Sequence, residues 1–351
     1  MELILTINPG STTTKMGLFN RTKKIHEFNV QVPASEISKK NVTNEFPFRK
    51  DSMEKSLRKI NLKNVVAIVG RGGLLKPLEG GVYRINDKLV SDLKEAKNGN
   101  HASNLGAILA DYFGKKYKVP AYIIDPVTID ELEDVARISG VPGIERVSRA
   151  HALNIKATTR KVCDRNGWNI KRLNFVVAHL GGGISVCALK KSRMIDVNDA
   201  LLGMGPFSPE RAGALPIRRV MELSYSGEYT QKELELLFVK NSGLKGYLGT
   251  NDGREVEERI KNGDERAKLI FDAMIYQIQK EIGAMLSVCD YNVKAVIITG
   301  GLAYNKNIQE QISNNLKKYN VIIFPGENEL EAMADGGFRA IDGRIEIKDY
   351  K

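Results

Sequence analysis

Apolar runs that end in glycine recur along this chain. Leu3 to Ile7, Leu-Ile-Leu-Thr-Ile, is the first and predicts a buried strand. Asn8, Pro9 and Gly10 break it, Ser11 to Thr14 supply four hydroxyls in a row, and Gly17, Leu18 and Phe19 resume a strand. The pattern predicts a hairpin whose turn is small, polar and rich in donors. Asn174 to Leu189 repeats the plan: an apolar strand, a turn at Gly181, Gly182 and Gly183, and a second apolar strand. Val65 to Gly73 and Ala295 to Gly301 are apolar strands that run into paired glycines. Each half therefore holds a glycine-turn hairpin followed later by an apolar strand ending in glycines. This weak internal duplication predicts two similar domains facing across a cleft.

The intervening segments complete the pattern. Lys24 to Val32 alternates as a third strand, and residues 34–50 are polar and irregular. Asp51 to Ile60 has helical spacing, with Met53, Leu57 and Ile60 on one face. Ser91 to Ala96 and Ala102 to Tyr117 predict helices, and Ala121 to Asp125 a short strand ending in an acid. Three strands, a helix, a strand, a helix and a strand follow the order of the ribonuclease-H-like α/β fold. Pro142-Gly143 marks a change of domain. The second half then runs helix (151–166), hairpin, third strand near Met194 to Val197, and loop from Asn198 to Pro216. Broken helical segments from Ile217 to Leu286 follow, including an amphipathic stretch from Asp264 to Cys289. Strand 295–299, helix 305–318, strand 321–324 and a last helix 329–341 close the pattern.

Composition narrows the class. At 351 residues the chain exceeds one ordinary core, and two domains are expected. Hydrophobic residues at 42% and charged residues at 27% are those of a globular protein. No apolar run reaches membrane-spanning length, and Met1-Glu2 lacks the basic region of a signal peptide, so a cytoplasmic protein without anchor is expected. Cys163, Cys187 and Cys289 show no CxxC spacing and suit a reducing compartment. The net charge of +11 comes from dispersed Lys and Arg, often beside Asp or Glu, with little aromatic interleaving. That pattern argues against nucleic acid and favours anionic small molecules.

Candidate chemistry gathers at the glycine turns. No GxxxxGK[ST] exists, and Gly203-Met-Gly205 precedes Pro206 rather than a helix, so neither a P-loop nor a dinucleotide fingerprint is present. Taken singly, a glycine here is a tight turn. Backbone N–H groups at Gly10 and the hydroxyls of Ser11 and Thr13 also suit a phosphate, with Lys15 as a mobile point charge. Arg71 sits among glycines that leave its guanidinium free to clamp an anion in place of a plain surface role. Asp125 ends a buried strand before Pro126, either as a turn or cap residue or as a functional carboxylate. His179 begins the second glycine turn and His151 heads the helical stretch 151–166; lone histidines are more often structural, but these are two of only four in the chain.

Asn-Pro-Gly-Ser-Thr-Thr-Thr-Lys at 8–15, Gly-Arg-Gly-Gly-Leu-Leu at 70–75, His-Ala-Leu-Asn at 151–154, His-Leu-Gly-Gly-Gly at 179–183 and Pro-Glu-Arg-Ala-Gly at 209–213 span nearly the whole chain. In this order they resemble the acetate and butyrate kinase family of the actin, sugar kinase and Hsp70 ATPase superfamily, and the butyrate branch most. The resemblance implies two duplicated ribonuclease-H-like (actin-like ATPase) domains around a central nucleotide cleft. Residues 1–145 would form the first, with a C-terminal helix at about 329–351 packed back on it, and residues 146–328 the second, carrying the adenosine site. It implies reversible transfer from ATP to butyrate or a similar short acid, with Mg²⁺, ATP/ADP and a small carboxylate as its partners, in a homo-oligomer.

The family's first phosphate motif matches Asn8, Ser11, Thr13 and Lys15, with Thr13 standing for a serine. Its catalytic residues match Arg71, His151 and Arg218, the last beside Arg219, and its metal-linked acids match Asp125 and Glu329 or Glu331. His101 lies near a further family histidine. Gly10, His179, Gly181, Gly182 and Gly183 would face the phosphates, and Gly300 and Gly301 the adenosine. An acetate or propionate kinase and a non-enzymatic nucleotide switch of the actin or Hsp70 kind are the alternatives.

Overall fold

The computed structural model describes residues 2–21, 23–37 and 41–351. Met1, Thr22 and residues 38–40, the last within the stretch expected to be irregular, lie outside them. Twelve strands are assigned among the described residues: β1 (Leu3–Pro9), β2 (Thr13–Phe19), β3 (Lys24–Gln31), β4 (Val65–Gly70), β5 (Val82–Arg84), β6 (Ala121–Ile124), β7 (Asn174–Leu180), β8 (Ile184–Lys190), β9 (Arg193–Val197), β10 (Ala295–Thr299), β11 (Val321–Ile323) and β12 (Ile347–Asp349). They build two mixed sheets, ordered β12-β5-β6-β4-β1-β2-β3 and β11-β10-β7-β8-β9.

The duplication expected from the glycine pattern is present. In the first sheet β3, β2 and β1 form an antiparallel meander, and β4 and β6 then pair parallel, outward from β1. In the second, β9, β8 and β7 form the meander and β10 and β11 extend it in parallel. The first sheet adds β5 and β12 at its edge, which the sequence pattern did not mark. Each has only three residues, too short a run for alternation to register.

The chain divides into two compact units. The first comprises Met1–Asp130, Ala152–Ala157 and Asn328–Lys351, the second Glu131–His151 and Thr158–Glu327. The change of unit thus falls at Asp130, where the sequence pattern puts it at Pro142-Gly143. Residues 131–151 run along β9: the Glu131 carboxylate accepts the Met194 N–H at 2.7 Å, Glu133 N–H donates to Ile195 at 3.0 Å, and Arg146 pairs with Asp196 at 2.7 Å.

In the first unit one sheet face is covered by helices Phe46–Leu57 and Asn104–Tyr117, through Met53, Leu57, Leu105, Leu109 and Phe113. The helix Phe46–Leu57 begins inside the stretch expected to be irregular. Pro47 is tolerated because it stands in the first turn, where its missing N–H has no partner to lose. The other face carries helix Glu329–Ile341, through Leu330, Met333 and Phe338. That helix ends at Ile341, and the chain returns to the sheet as β12. In the second unit the helix Glu265–Val288 lays Phe271, Met274, Ile278 and Ile282 on its sheet. Asp264 starts it by accepting the Ala267 N–H at 2.8 Å. No helix of the described residues is long and apolar enough to cross a membrane.

Close approach between helix Asn104–Tyr117 and β4 sets where Arg71 stands. A Cβ on Gly106 would lie 2.4 Å from the Arg71 carbonyl oxygen, and one on Gly70 would lie 2.2 Å from that of Gly106. Both obstacles are backbone and cannot rotate aside. Gly106→Ala is expected to destabilise the protein by about 1–3 kcal/mol or more through overpacking. Urea unfolding of the variant, at unchanged m-value, checks this.

Candidate functional site

Asn8, Arg71 and Asp125 immediately follow or end parallel strands at one sheet edge. Ile7 pairs with Gly70, and Gly70 with Ile123, so β1, β4 and β6 terminate together. The carboxyl edge of parallel strands is where open α/β sheets bind ligands. Here Asn8 Nδ2 donates to Glu329 Oε2 at 2.6 Å, and Arg71 Nη2 lies 3.1 Å from Glu329 Oε1. The structure thus gathers Asn8, Arg71 and Glu329, from positions far apart in sequence. Glu331, the other acid considered, bonds Asn328 instead. Arg71 Nη1 is buried and has no hydrogen-bond partner among the described residues. A guanidinium N–H left so is costly, and an anionic oxygen would satisfy it.

Asp125 is almost wholly buried and has a left-handed backbone, φ 40°. Such a conformation in a non-glycine residue stores strain. Its Oδ1 accepts the Gly81 N–H at 2.9 Å, and its own N–H donates to Gly81 at 2.9 Å. His101, matched only weakly in sequence, feels the charge of Arg71. Lost solvation, and then the charge of Arg71, lower its imidazole pKa below the ordinary value.

The first turn joins β1 to β2. Gly10 N–H donates to Thr13 at 2.7 Å, and Lys15 faces Asn8 across the hairpin with its side chain exposed. Ser11 is exposed and Thr13 half-buried. The turn's carbonyls are held from beneath by Arg49, a residue that the sequence pattern did not single out. Its one sequence signal is Glu45, four residues earlier on what proves to be the same helical turn.

The second unit carries a separate group. His179 Nε2 lies 3.5 Å from Glu327 Oε1, its ring is fully buried, and it stacks on His151 with centroids 4.1 Å apart. His151 Nδ1 is 2.8 Å from Ser185 Oγ, which also accepts the His151 N–H at 3.2 Å. His179 pairs with Thr299, so the turn after β7 and Gly300 after β10 stand at the same edge.

The glycines of that edge differ in kind. Gly300 has φ 92°, and a Cβ there would lie 2.3 Å from the Leu180 carbonyl oxygen. A Cβ on Gly183 would lie 2.1 Å from Arg211 Nη1. At Gly300 the obstacle is backbone and cannot move aside, whereas at Gly183 it is the end of the Arg211 side chain. Gly301 has nothing within 4 Å of its missing Cβ, and Gly182 only Glu210 Oε1 at 3.9 Å. At Gly181 the His179 ring is 3.1 Å away.

Arg211 is the second arginine at a glycine turn. It presses on Gly183 and donates through Nη1 to the Ala200 carbonyl, while its buried Nε has no partner among the described residues. Burial lowers its pKa from the ordinary arginine value. Arg218, the residue chosen from the resemblance, is exposed on helix Ile217–Ser224, as is Arg219, which pairs with Glu222. Neither is brought to the turn. Arg211 stands in the Pro-Glu-Arg-Ala-Gly motif, seven residues before Arg218.

The oxygen donors Asp125 and Glu329 suit Mg²⁺ held through water. Direct bidentate capture by Glu329 does not fit, because Asn8 and Arg71 engage its two oxygens. His151, His179 and Glu327 each offer a ligand atom within 4.8 Å of the others, but two imidazoles suit softer ions than Mg²⁺.

Comparison with known proteins gives one family. The Acetokinase family model matches residues 142–342, more than half of the chain. The fold is similar to that of Porphyromonas gingivalis acetate kinase, at a TM-score of 0.78 and 18% identity over 96% of this chain and 99% of that one. A propionate kinase from Francisella tularensis gives 0.74 and 20% over 96% and 99%. Acetate kinase from Entamoeba histolytica gives 0.74 and 16% over 97% and 100%. At such identities the likeness to these structures is one of fold.

Sorting the glycines by their surroundings gives an expected contrast. Gly182→Ala and Gly301→Ala should change stability by about 0.5 kcal/mol or less, as open surface sites do. Gly300→Ala should cost about 2–5 kcal/mol from backbone strain and overlap combined. Chemical denaturation of the three variants side by side tests the division.

Proposed function

This chain belongs to the acetokinase family, and from that premise we propose that it is a butyrate kinase. It would transfer the γ-phosphoryl group of ATP reversibly to butyrate or a similar short acid, giving butyryl phosphate and ADP. The observation that carries the kinase reading is the group formed by Arg71, Glu329 and Asn8 at the first sheet edge. Arg71 is oriented by Glu329, beside Asn8, and keeps a buried N–H for an anion.

The chemistry follows from the acceptor. A short carboxylic acid is ionised at neutral pH and needs no base to become a nucleophile. Its obstacle is repulsion from the γ-phosphate, and the need is for fixed positive charge and hydrogen-bond donors around the transferring group. One carboxylate oxygen forms a bond to Pγ as the bond from Pγ to the β,γ-bridging oxygen breaks, and ADP leaves with that electron pair. No covalent enzyme intermediate is required. Arg71 and Arg211 would clamp the anionic oxygens, with the His151 and His179 imidazoles as further donors. Asn8, Gly10, Ser11, Thr13 and Lys15 would hold phosphate oxygens, as would the turn at Gly181, Gly182 and Gly183. Gly300 and Gly301 would let adenosine approach the backbone, Gly301 having the open space for it. Mg²⁺, held through water by Asp125 and Glu329, would neutralise charge on the β- and γ-phosphates.

Butyrate rather than acetate is favoured by two small residues. The family's acetate members carry Asn where this chain has Gly182, and an aromatic where it has Ala150 before His151. Both changes remove volume near the presumed acyl site. Two extra methylenes are worth about 0.8 kcal/mol each by transfer. The kcat/KM for butyrate should therefore exceed that for acetate by about 10-fold or more. A coupled assay over acetate, propionate, butyrate and isobutyrate at fixed ATP and Mg²⁺ decides it. Acetate turnover equal to or above butyrate turnover overturns the butyrate assignment and leaves the kinase. No turnover of any acid, with nucleotide bound, favours a nucleotide switch.

The arginines offer a second test. Arg71→Ala and Arg211→Ala should each lower kcat by about 10³-fold. Arg218→Ala should stay within about twofold of wild type, as a solvent-exposed change away from the chemistry. A large loss in Arg218→Ala with none in Arg211→Ala would return the role to Arg218.

A further inference from the structure

We propose that Arg49 is a positioning residue for nucleotide phosphate: a buried guanidinium that shapes the β1–β2 turn into an anion-binding nest. Arg49 is 0% exposed, although arginine is almost never fully buried without a partner. Its charge is balanced by Glu45, with Nη2 at 2.6 Å and Nε at 2.9 Å from Oε2. The remaining N–H groups all go to the turn. Nη2 donates to the Gly10 carbonyl at 2.9 Å and the Ser11 carbonyl at 3.3 Å. Nη1 donates to the Thr13 carbonyl at 3.1 Å and to Thr14 Oγ1 at 2.8 Å. Glu45 and Arg49 come from the helical entry at 45–49, so one helix end grips the turn of a distant hairpin.

Peptide geometry converts this grip into a ligand site. In a trans peptide the N–H of one residue points opposite to the C=O of the residue before it. With the Gly10 and Ser11 carbonyls drawn to Arg49, the N–H groups of Ser11 and Thr12 point away from it. Ser11 and Thr12 are both exposed. Two successive N–H groups facing outward form a nest for an anionic oxygen. Because Glu45 neutralises Arg49, the turn attracts phosphate by oriented dipoles and by Lys15, not by the buried charge. The inference rests on the nucleotide reading of this turn and adds the residue that orders it.

Four proteins test it: wild type, Arg49→Met, Arg49→Lys and Leu57→Ala. Leu57 is buried on the same helix but away from the turn, so its variant loses stability alone. Each is titrated with MgADP by calorimetry below its unfolding temperature and assayed for both KM values. Arg49→Met should weaken MgADP about 10- to 100-fold, the loss of charge-assisted hydrogen bonds, and raise KM for ATP alike. KM for the carboxylate should stay within about twofold, because uniform binding of the other substrate is untouched. Arg49→Lys should fall between, keeping the charge but not the planar fork. Leu57→Ala should bind MgADP as wild type does. If Arg49→Met does not fold, Thr14→Val removes one acceptor without stranding a charge and should weaken MgADP about threefold, one neutral-acceptor bond's worth.

Unchanged MgADP affinity in the folded Arg49 variants overturns the inference, as does an equal rise in both KM values. Wild type that binds MgADP yet phosphorylates no carboxylate sinks the butyrate kinase reading and leaves the role of Arg49 standing. Wild type that binds no MgADP sinks both.

Discussion

The parallel pairings of β1 with β4 and of β7 with β10 constrain where every candidate group stands. Parallel strands in one sheet end at one edge, and the chain must leave from that edge to make its crossover. Residues that follow the strands are therefore delivered together, beyond the last ladder hydrogen bond. Ile7, Gly70 and Ile123 share a register, and Asn8, Arg71 and Asp125 emerge from it within two residues. His179 and Thr299 share another, and the second glycine turn and Gly300 emerge from that one. Side chains at this edge owe their convergence to sheet register, not to sequence proximity.

Glycine makes the edge compact in two distinct ways. Gly70, Gly106 and Gly300 admit backbone against backbone, at separations where a methyl group would overlap a carbonyl. Those glycines hold the scaffold. Gly182 and Gly301 leave space that no protein atom fills. The first kind bears on stability, and only the second bears on what a ligand can approach.

Three buried or half-buried arginines are each held by a fixed group. Glu329 orients Arg71, Glu45 neutralises Arg49, and the Ala200 carbonyl holds Arg211. Burying a guanidinium is expensive unless its donors are used. Arg49 uses its donors fully. Arg71 and Arg211 each retain one buried N–H without a partner among the described residues. That difference separates the arginine whose donors are all used from the two that each keep a buried N–H.

The sequence by itself determined the strand-rich halves, their hairpins and their glycine turns. Central strands buried on both faces are continuous apolar runs, and turns need glycine locally, so both are written in neighbouring residues. The internal duplication and the order of strands were legible for that reason, while Asn8, Arg71, His151 and His179 became candidates chiefly through the family resemblance of their motifs. Three-residue β5 and β12 were too short for any period. The helix starting at Phe46 was hidden by its proline, and Arg49 stood in a stretch without apolar pattern. The tertiary structure folds Arg211 against Gly183 and leaves Arg218 exposed on its helix, a difference that no local period in the chain records. It alone joined Asn8 and Arg71 to Glu329, and Arg49 to the turn at Gly10. Hydrogen bonds and ion pairs between residues tens to hundreds apart in sequence leave no local period, because their partners are chosen by sheet register and helix packing after the chain has closed on itself.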